Sequence, residues 1–392
     1  MIREQYLALG RVKNTMRELT AYGNARKAEI GAENVYDFSL GSPSAPVPEA
    51  VTRALLDALA QPDVHEPVPE AGLPAFREAV ADDLRRRFGM DAAAEYIYAT
   101  VGAAGSLAIC ANALLQPGEE AIVVAPFFSE YRVFIEGAGG VTVVVGSDAR
   151  MQPDLAALRA AITERTRFVI VNTPNNPTGA LLSAESLGGI AAILREAQQR
   201  FGRALYLVSD EPYRELVYDA QRVPCVMNAY ENTILCYSYS KSLSLPGERI
   251  GYLALNTRME TREAVFAAVK AAAHRLGYRG APSLLQRALV SCVGESCDIG
   301  VYRKNREVLY EGLTALGFEC LRPEGAFYLF MKAPIPDAVA FSEAAKRYEL
   351  LLVPCDSFGV SGYMRLAYCV PTETIRRAMP AFRRLAEEFG LT

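Results

Sequence analysis

The chain has 392 residues, of which 51% are hydrophobic and 22% are charged, and its formal net charge is −4. This composition is typical of a folded globular protein and excludes a disordered chain, a collagen-like chain and a small disulfide scaffold. Because basic residues are not in excess, nucleic acid is not expected as the main partner.

The cysteines, the histidines and the N-terminal residues indicate the compartment. The chain has eight cysteines and two histidines without a Cys-x-x-Cys pair, so we expect no metal site. The N-terminal segment is charged and lacks the apolar core of a signal peptide. The uncharged stretch 96–118 is too rich in polar residues and glycine to span a membrane. We therefore expect a cytoplasmic protein with free thiols and no membrane partner.

Most of the chain before residue 282 alternates short apolar runs with helical patterns. The apolar runs lie at 96–101, 121–125, 141–145, 168–172, 205–209, 233–237 and 250–255. Strands that are apolar along their whole length are typical of sheets covered on both faces. One intervening helical pattern, at 183–200, opens with a Ser-x-x-Ser motif. The alternation predicts an α/β layer fold with a mostly parallel sheet.

After about residue 282 the pattern changes. Helical patterns at 302–316 and 372–389 flank short strand-like runs at 319–322, 325–330, 351–354 and 364–368. These elements predict a smaller α+β domain, on which the amphipathic segment 3–30 packs unless it packs on a partner subunit. We expect two tightly coupled domains, a large one at 46–284 and a small one formed by 1–45 and 285–392.

The segment 238–252 carries the strongest chemical signal. It places Lys241 among serine hydroxyls, with Arg249 eight positions later and a Pro-Gly pair between them. Arginine and serine together bind a phosphate dianion well. A lysine beside a phosphate-bearing cofactor indicates Schiff-base chemistry, whereas an isolated lysine is a solvated surface charge.

Three further segments each follow a predicted strand, where open α/β sheets bind ligands. They are Asn-Thr-Pro-Asn-Asn-Pro-Thr-Gly at 172–179, Ser-Asp-Glu-Pro-Tyr at 209–213 and Val-Gly-Ala-Ala-Gly-Ser at 101–106. The first could be only a turn. The carboxylate of the second could cap a helix or hold a positively charged ring nitrogen. The third could bind a phosphate at a helix N-terminus or allow close helix–sheet packing.

A single arginine interrupts the apolar run Tyr-Met-Arg-Leu-Ala at 363–367. A buried arginine needs an anionic partner. That partner is either a substrate anion or a carboxylate in a structural ion pair with Arg365.

In this order, the segments resemble the fold-type I pyridoxal phosphate (PLP) enzymes, and among them the class I and II aminotransferases. The resemblance covers nearly the whole chain, from Asp-Phe-Ser-Leu-Gly-Ser-Pro at 37–43 to Met-Arg-Leu-Ala-Tyr at 364–368. It implies a large domain with a mostly parallel seven-stranded sheet flanked by helices, and a small α+β domain. It also implies PLP as cofactor and a homodimer with shared active sites.

The resemblance assigns catalytic roles by position. Lys241 is expected to form the internal aldimine and then to move a proton between Cα and C4′ of the substrate–cofactor adduct. Asp210 is expected to pair with the pyridinium nitrogen, which keeps the ring an electron acceptor. Asn176 and Tyr213 are expected to hydrogen-bond the ring oxygen O3′, and Phe128 to stack on the ring. The Asn176–Pro177 peptide bond is expected to be cis.

The same resemblance assigns the groups that bind phosphate and substrate. Arg365 is expected to bind the substrate α-carboxylate, with the Gly41 backbone and the Asn176 side chain nearby. The phosphate is expected to contact Ala103, Ala104, Ser238, Ser240 and Arg249.

The chain departs from the family pattern at two positions near the phosphate. Pro67 stands where the family has a tyrosine that reaches the phosphate of the neighbouring subunit. Ala104 stands where relatives have serine, threonine or lysine. These departures predict that the phosphate is held by one hydroxyl donor fewer, unless another group replaces it.

The resemblance also suggests how the substrate side chain is bound. In animal and enteric aspartate aminotransferases, a partner-subunit arginine lies thirty-four residues after the Schiff-base lysine and a tyrosine follows three further on. The ungapped match in this chain is Arg275 with Tyr278, and Arg279 is a competing candidate. A surface salt bridge is the alternative role for Arg275.

These observations predict a PLP-dependent aminotransferase with ping-pong kinetics, acting on aspartate and 2-oxoglutarate. An aromatic or alanine-type aminotransferase and a C–S β-lyase of the same fold are the enzymatic alternatives. A PLP-fold sensor of the transcription-regulator type would need a winged helix–turn–helix before the core, and too few residues precede the core for one.

Overall fold

The structure is a computed structural model that describes residues 2, 4–11, 15–219 and 222–391. The helices are α1 (Glu4–Arg11), α2 (Thr15–Ile30), α3 (Glu49–Leu59), α4 (Pro74–Phe88), α5 (Ala103–Leu114), α6 (Glu130–Gly137), α7 (Leu155–Ala161), α8 (Ala184–Phe201), α9 (Val226–Ala229), α10 (Tyr239–Ser242), α11 (Arg262–Leu276), α12 (Ser283–Leu289), α13 (Gly300–Ala315), α14 (Ala338–Lys346) and α15 (Thr372–Glu388). Within the described ranges, no helix is both long and apolar enough to cross a membrane.

The strands form three sheets. They are β1 (Tyr36–Asp37), β2 (Ile97–Thr100), β3 (Glu120–Val124), β4 (Val141–Val145), β5 (Thr166–Asn172), β6 (Tyr206–Asp210), β7 (Thr233–Ser238), β8 (Gly251–Leu255), β9 (Cys320–Leu321), β10 (Tyr328–Lys332), β11 (Leu350–Leu351), β12 (Val353–Pro354) and β13 (Tyr363–Ala367). Each apolar run predicted as a strand overlaps at least one of them, so the predicted order of elements is confirmed.

The largest sheet has seven strands in the order β2-β8-β7-β6-β5-β3-β4. Neighbouring strands from β7 to β4 are parallel, and only β8 runs antiparallel to its two neighbours. Helices cover the sheet, and its central strands are buried along their length. The expected mostly parallel seven-stranded sheet is therefore confirmed.

The parallel strands bring the predicted chemical segments to one edge of this sheet. In the strand register, Asn172 at the end of β5 lies opposite Asp210 at the end of β6, and Asp210 lies opposite Cys236 in β7. Since β7 ends at Ser238, the lysine segment begins at the same edge.

The lysine segment begins as a one-turn helix, α10. The Ser238 side chain accepts a hydrogen bond from the Ser240 backbone N–H and so caps this turn. The backbone N–H of Cys297 donates to the Ser242 carbonyl over 2.6 Å and fixes the other end.

Strand pairing attaches the segment 36–41 to the C-terminal part of the chain. β1 pairs with β11 in parallel, and β10 lies between β9 and β13 with β12 at the edge. The Ala367 backbone N–H also donates to the Phe38 carbonyl over 2.8 Å. These contacts place Gly41 close to strand β13, which carries Arg365.

The N-terminal helices contact both parts of the molecule. Arg26 and Lys27 in α2 form ion pairs with Glu349 and Asp37, each over 2.6 Å. In α1, the Tyr6 hydroxyl donates to the Gly137 carbonyl at the end of α6 over 3.2 Å. The expected packing of this segment on the small domain applies to α2, whereas α1 lies on the large sheet's helices. Residues 3 and 12–14 of the segment lie outside the described residues.

We propose two domains close to those expected from the sequence. The buried residues of β10, β13, α13 and α15 form one core, separate from the cores around the seven-stranded sheet. The expected boundary at residue 284 would divide α12. Because Leu285, Leu289 and Val293 pack with Val51 and Phe76 in a large-domain core, we place α12 with the large domain.

Candidate active site

A cavity of about 270 Å³ opens at the edge of the large sheet where the predicted segments meet. The predicted site residues that line it are Gly41, Ala103, Ala104, Phe128, Asn176, Asp210, Tyr213, Ser238, Ser240, Lys241, Arg249 and Arg365. Residues to which the sequence assigned no individual role complete the lining, and these include Met16, Ser39, Leu40, Leu107, Asn172 and Tyr328. The structure thus brings together residues separated by more than three hundred positions.

Lys241 projects from α10 into this cavity. Its Nζ donates a hydrogen bond to the Gly41 carbonyl over 2.6 Å and lies 5.5 Å from the centre of the Phe327 ring. Burial lowers the pKa of Lys241 to about 8, and the positive charges of Arg365 and Arg249 act in the same direction. A lysine with this pKa is partly neutral near pH 8, as a nucleophilic amine must be.

One carboxylate oxygen of Asp210 accepts a hydrogen bond, and the other accepts none from the described residues. Its Oδ2 accepts a hydrogen bond from the Tyr131 hydroxyl over 2.6 Å, whereas its buried Oδ1 has no partner among the described residues. Burial raises the pKa of Asp210 to about 7. A protonated ring nitrogen at Oδ1 would supply the missing hydrogen bond and stabilise the carboxylate, so the site fits the pyridinium of PLP.

Sequence reasoning missed Tyr131 as the partner of Asp210. Tyr131 lies in the first turn of α6, three residues after Phe128, which precedes the helix, and it is buried in the same core as the strands. The sequence spacing places Tyr131 near Phe128 but does not indicate a contact with Asp210. The pairing with Asp210 depends on how α6 packs on the sheet.

Asn172 joins the ends of two neighbouring strands. Its Nδ2 donates to the Asp210 carbonyl over 2.8 Å, and its Oδ1 accepts from the Asn176 backbone N–H over 2.7 Å. The Asn176–Pro177 bond is cis, as predicted. These contacts hold the Asn176 side chain in the cavity near Arg365, whose Nη1 donates to Asn176 Oδ1 over 3.2 Å.

The groups predicted to bind phosphate form a cradle at the start of α5. The Ser238 and Ser240 hydroxyls lie 2.8 Å apart, and Arg249 Nη1 lies 3.4 Å from Ser240 Oγ. Gly102 caps α5 with a φ of 83°, and a Cβ there would lie 3.1 Å from Arg249 Nη2 and 3.3 Å from Ser238 Oγ. Together with the free N–H groups of the first turn of α5, the hydroxyls and the guanidinium suit a phosphate dianion.

Arg365 is buried without a carboxylate partner. It is 2% exposed, and its Nη2 donates to the Ser39 carbonyl over 2.5 Å and contacts Met16 Sδ at 3.2 Å. No carboxylate among the described residues forms an ion pair with it, and its buried Nε lacks a hydrogen-bond partner there. The structural ion pair considered above is therefore not seen, and the guanidinium is available to a carboxylate ligand.

Three residues that the resemblance placed near the phosphate or the substrate side chain lie outside the cavity of their own chain. Arg275 is exposed on α11, and its Nη1 donates to Asn112 Oδ1 over 3.0 Å. Pro67 and Arg279 are also exposed on the surface of the chain. Within the part of the chain that the structure describes, none of them lines the cavity.

Comparisons with known proteins agree with this arrangement. The profile of the family "Aminotransferase class I and II" matches residues 32–382. The chain is 34% identical to the aspartate/prephenate aminotransferase of Thermus thermophilus over 391 residues, which cover 96% of this chain and 97% of that protein. An aminotransferase structure from Eubacterium rectale is similar with a TM-score of 0.96 and 43% identity, covering 99% of each chain. The aspartate aminotransferase of Thermus thermophilus with maleate is similar with a TM-score of 0.86 and 30% identity, covering 98% and 99% of the two chains.

Proposed function

Because the chain belongs to the class I and II aminotransferases, which use PLP, we propose that it transfers the amino group of L-aspartate to 2-oxoglutarate. The products would be oxaloacetate and glutamate, formed in two half-reactions with ping-pong kinetics. The observation that carries the proposal is the joint placement of Lys241, the unpaired Oδ1 of Asp210 and the carboxylate-free Arg365 around one cavity. The eight free cysteines support a reducing compartment, and we propose the cytoplasm.

In this proposal, some residues of the chain bind the cofactor and the substrate, and Lys241 transfers the proton. When bound, PLP supplies an electron sink that makes the substrate Cα–H acidic. Asp210 would hold the proton on the ring nitrogen, and the serine hydroxyls with Arg249 would anchor the phosphate. Arg365 would bind the substrate α-carboxylate and so orient the Cα–H bond toward Lys241.

Lys241 is suited to move that proton. Its lowered pKa, about 8, lies close to the working pH of a cytoplasmic enzyme, where an amine can both accept and return a proton. Among the described residues, its Nζ donates to the backbone carbonyl of Gly41.

Two observations support aspartate as the donor. Thermus thermophilus relatives named aspartate/prephenate and aspartate aminotransferase share 34% and 30% identity with the chain. Arg275 is exposed, and its hydrogen-bond partner among the described residues is the uncharged Asn112. We propose that Arg275 reaches the cavity of the neighbouring subunit and binds the distal carboxylate there.

The cavity lining favours aromatic amino acids as a second candidate class of donor. The walls that are not assigned to the cofactor include the apolar side chains of Met16, Leu40 and Leu107. In the described residues, the cations that line the cavity are Lys241, Arg249 and Arg365, all of which already have roles. An aromatic substrate would use this wall, whereas aspartate needs a cation from the partner subunit.

The substrate proposal is tested by the contrast between Arg275→Ala and Arg365→Ala. Losing one side of a buried charge pair costs about 2–5 kcal/mol, which is roughly 30- to several-thousand-fold in kcat/KM. Arg275→Ala should show this loss with aspartate and spare alanine and phenylalanine. Arg365→Ala should show it with every amino acid, because each carries an α-carboxylate. The measurement is kcat/KM for the three donors with 2-oxoglutarate.

Arg279→Ala is the matched control, because Arg279 is also exposed and lies four residues from Arg275. It should keep wild-type kcat/KM for all three donors. Equal losses on aspartate and phenylalanine in Arg275→Ala would remove the basis for aspartate. A selective loss in Arg279→Ala instead would transfer the distal-carboxylate role to that residue.

Mixing two inactive variants tests the shared active site. Leu56 and Leu59 on α3 are 64% and 51% exposed in the single chain, which supports an interface with a second copy. Lys241→Ala and Arg275→Ala subunits should form mixed dimers in which one site has both native residues. After random reassociation, activity on aspartate should recover to about a quarter of the wild-type value. No recovery, or a fully active monomer by sedimentation, would contradict the shared site.

A further inference from the structure

We propose that Tyr328 is a positioning residue for two groups of the site. Its hydroxyl orients the Tyr213 hydroxyl, and its ring supports the guanidinium of Arg365. Tyr328 lies at the start of β10 and lines the cavity. The inference rests on the proposed function, since it assigns a task within the same site.

The two tyrosine hydroxyls form one hydrogen bond. Tyr213 Oη and Tyr328 Oη are 2.8 Å apart, both side chains are buried, and their rings meet edge to face at 5.7 Å between centroids. Each hydroxyl has one proton to donate. If Tyr213 donates to a cofactor oxygen in the cavity, it can only accept from Tyr328. The Tyr328 proton thus directs the Tyr213 proton toward the cavity and strengthens it as a donor.

The Tyr328 ring lies beside the guanidinium of Arg365. The guanidinium carbon is 4.8 Å from the centre of the Tyr328 ring and 5.2 Å from that of Phe358. An aromatic face stabilises a buried cation without neutralising its charge. A carboxylate in the same place would compete with the substrate for Arg365. The Tyr328 ring instead stabilises the buried charge and leaves the N–H donors of Arg365 available to the ligand.

The Tyr328 hydroxyl is held in place by a close backbone contact. A Cβ built on Gly41 would lie 2.1 Å from Tyr328 Oη, so only glycine leaves room for the hydroxyl at this position. The Gly41 carbonyl in turn accepts the hydrogen bond from Lys241 Nζ. Tyr328 therefore packs against the segment that also contacts the lysine, and the Gly41 backbone lies against one side of its hydroxyl.

Tyr328→Phe removes the hydroxyl and keeps the ring. We expect kcat to fall about two- to tenfold, the effect of one ordinary hydrogen bond, with KM for amino acids unchanged within about twofold. The pH titration of the bound cofactor's visible absorbance should shift to higher pH, because a weaker Tyr213 donor stabilises negative charge on the ring oxygen less. The charged and titratable groups facing the two hydroxyls, which are Arg365, Asp210 and Cys369, are the same in both proteins.

Tyr328→Leu removes the ring as well. We expect KM for every amino acid to rise by up to about 30-fold over that of Tyr328→Phe, the range expected for a desolvated cation–aromatic contact. The affinity of the cofactor-loaded enzyme for propionate, measured by calorimetry, should fall by the same factor. Propionate has one carboxylate and is not turned over, so this measurement depends on neither Arg275 nor catalysis.

Tyr230→Phe is the matched control. Tyr230 is fully buried and donates to the Leu205 carbonyl over 2.8 Å, and it does not line the cavity. It should lose thermal stability without changes in the absorbance titration, kcat or propionate affinity. If Tyr328→Phe behaves as Tyr230→Phe does, the hydroxyl has only a structural role and the proposal is wrong. Equal propionate affinities in Tyr328→Phe and Tyr328→Leu would likewise contradict the role of the ring.

These outcomes are separable from failure of the proposed function. A wild-type protein without aminotransferase activity on any donor would contradict the proposed function itself. The absorbance titration and the propionate affinity would still report on Tyr328, because neither requires turnover.

Discussion

Lys241→Ala is expected to bind PLP without covalent attachment and to lose at least about 10²–10⁴-fold in kcat, the contribution of a positioned proton-transfer group. The loss should exceed this range because the same residue also provides the nucleophile. The phosphate cradle and Asp210 do not contact the Lys241 side chain through any described hydrogen bond, so their noncovalent contacts should still hold the cofactor. Visible absorbance and stopped-flow kinetics measure the two effects.

Borohydride reduction followed by peptide mass spectrometry identifies the attachment site. In the wild type, the reduced cofactor should appear on Lys241 only, and in Lys241→Ala it should be absent. Lys304→Ala is the control, because Lys304 is an exposed residue of α13 that does not line the cavity. Its labelling and turnover should equal those of the wild type. Labelling of a different lysine in the wild type would contradict the assignment.

Asp210→Asn is expected to cost more than about 10²-fold in kcat while leaving the protein folded. The neutral amide cannot hold the ring nitrogen in its protonated state, so the cofactor loses its strength as an electron acceptor. The Tyr131 hydroxyl can still donate to the amide oxygen that replaces Oδ2. Near-normal turnover in this variant would rule out the role assigned to Asp210.

The pH dependence of stability gives a second measurement on the same variant. Burial raises the pKa of Asp210 to about 7, from an ordinary value of 3.8. In the apoprotein, the native state therefore keeps a proton that the unfolded state releases, and wild-type stability falls as pH rises from about 4 to 7. Asparagine does not titrate, so the apo form of Asp210→Asn should be at least as stable as the wild-type apoprotein above pH 7. Thermal unfolding of the apoproteins at pH 5 and pH 8 tests this.

Asp83→Asn is the control for the turnover measurement. Asp83 is also a buried carboxylate, but it pairs with Arg87 on α4 and does not line the cavity. The kcat of this variant should remain at the wild-type value.

The sequence by itself determined the fold and most of the candidate site. The apolar runs and their intervening helical patterns set the order of the strands along the chain. Since parallel strands end at the same sheet edge, the segments following β5, β6 and β7 had to meet, and with them Asn176, Asp210 and Lys241. The turn-forming residues at these strand ends carry the chemistry, so one local pattern indicated both structure and function.

Only the tertiary structure decided which side chains pair across the site. Tyr131 contacts Asp210 from 79 residues away, and Tyr328 contacts Tyr213 from 115 residues away. Residues so far apart meet through the packing of α6 and β10. Neither the hydrophobic periodicity of a segment nor its turn-forming residues determine that packing. Likewise, only the structure showed that no carboxylate among the described residues forms an ion pair with Arg365. Local sequence determines strands, turns and helix caps, whereas the partner of a buried polar group depends on which elements pack around it.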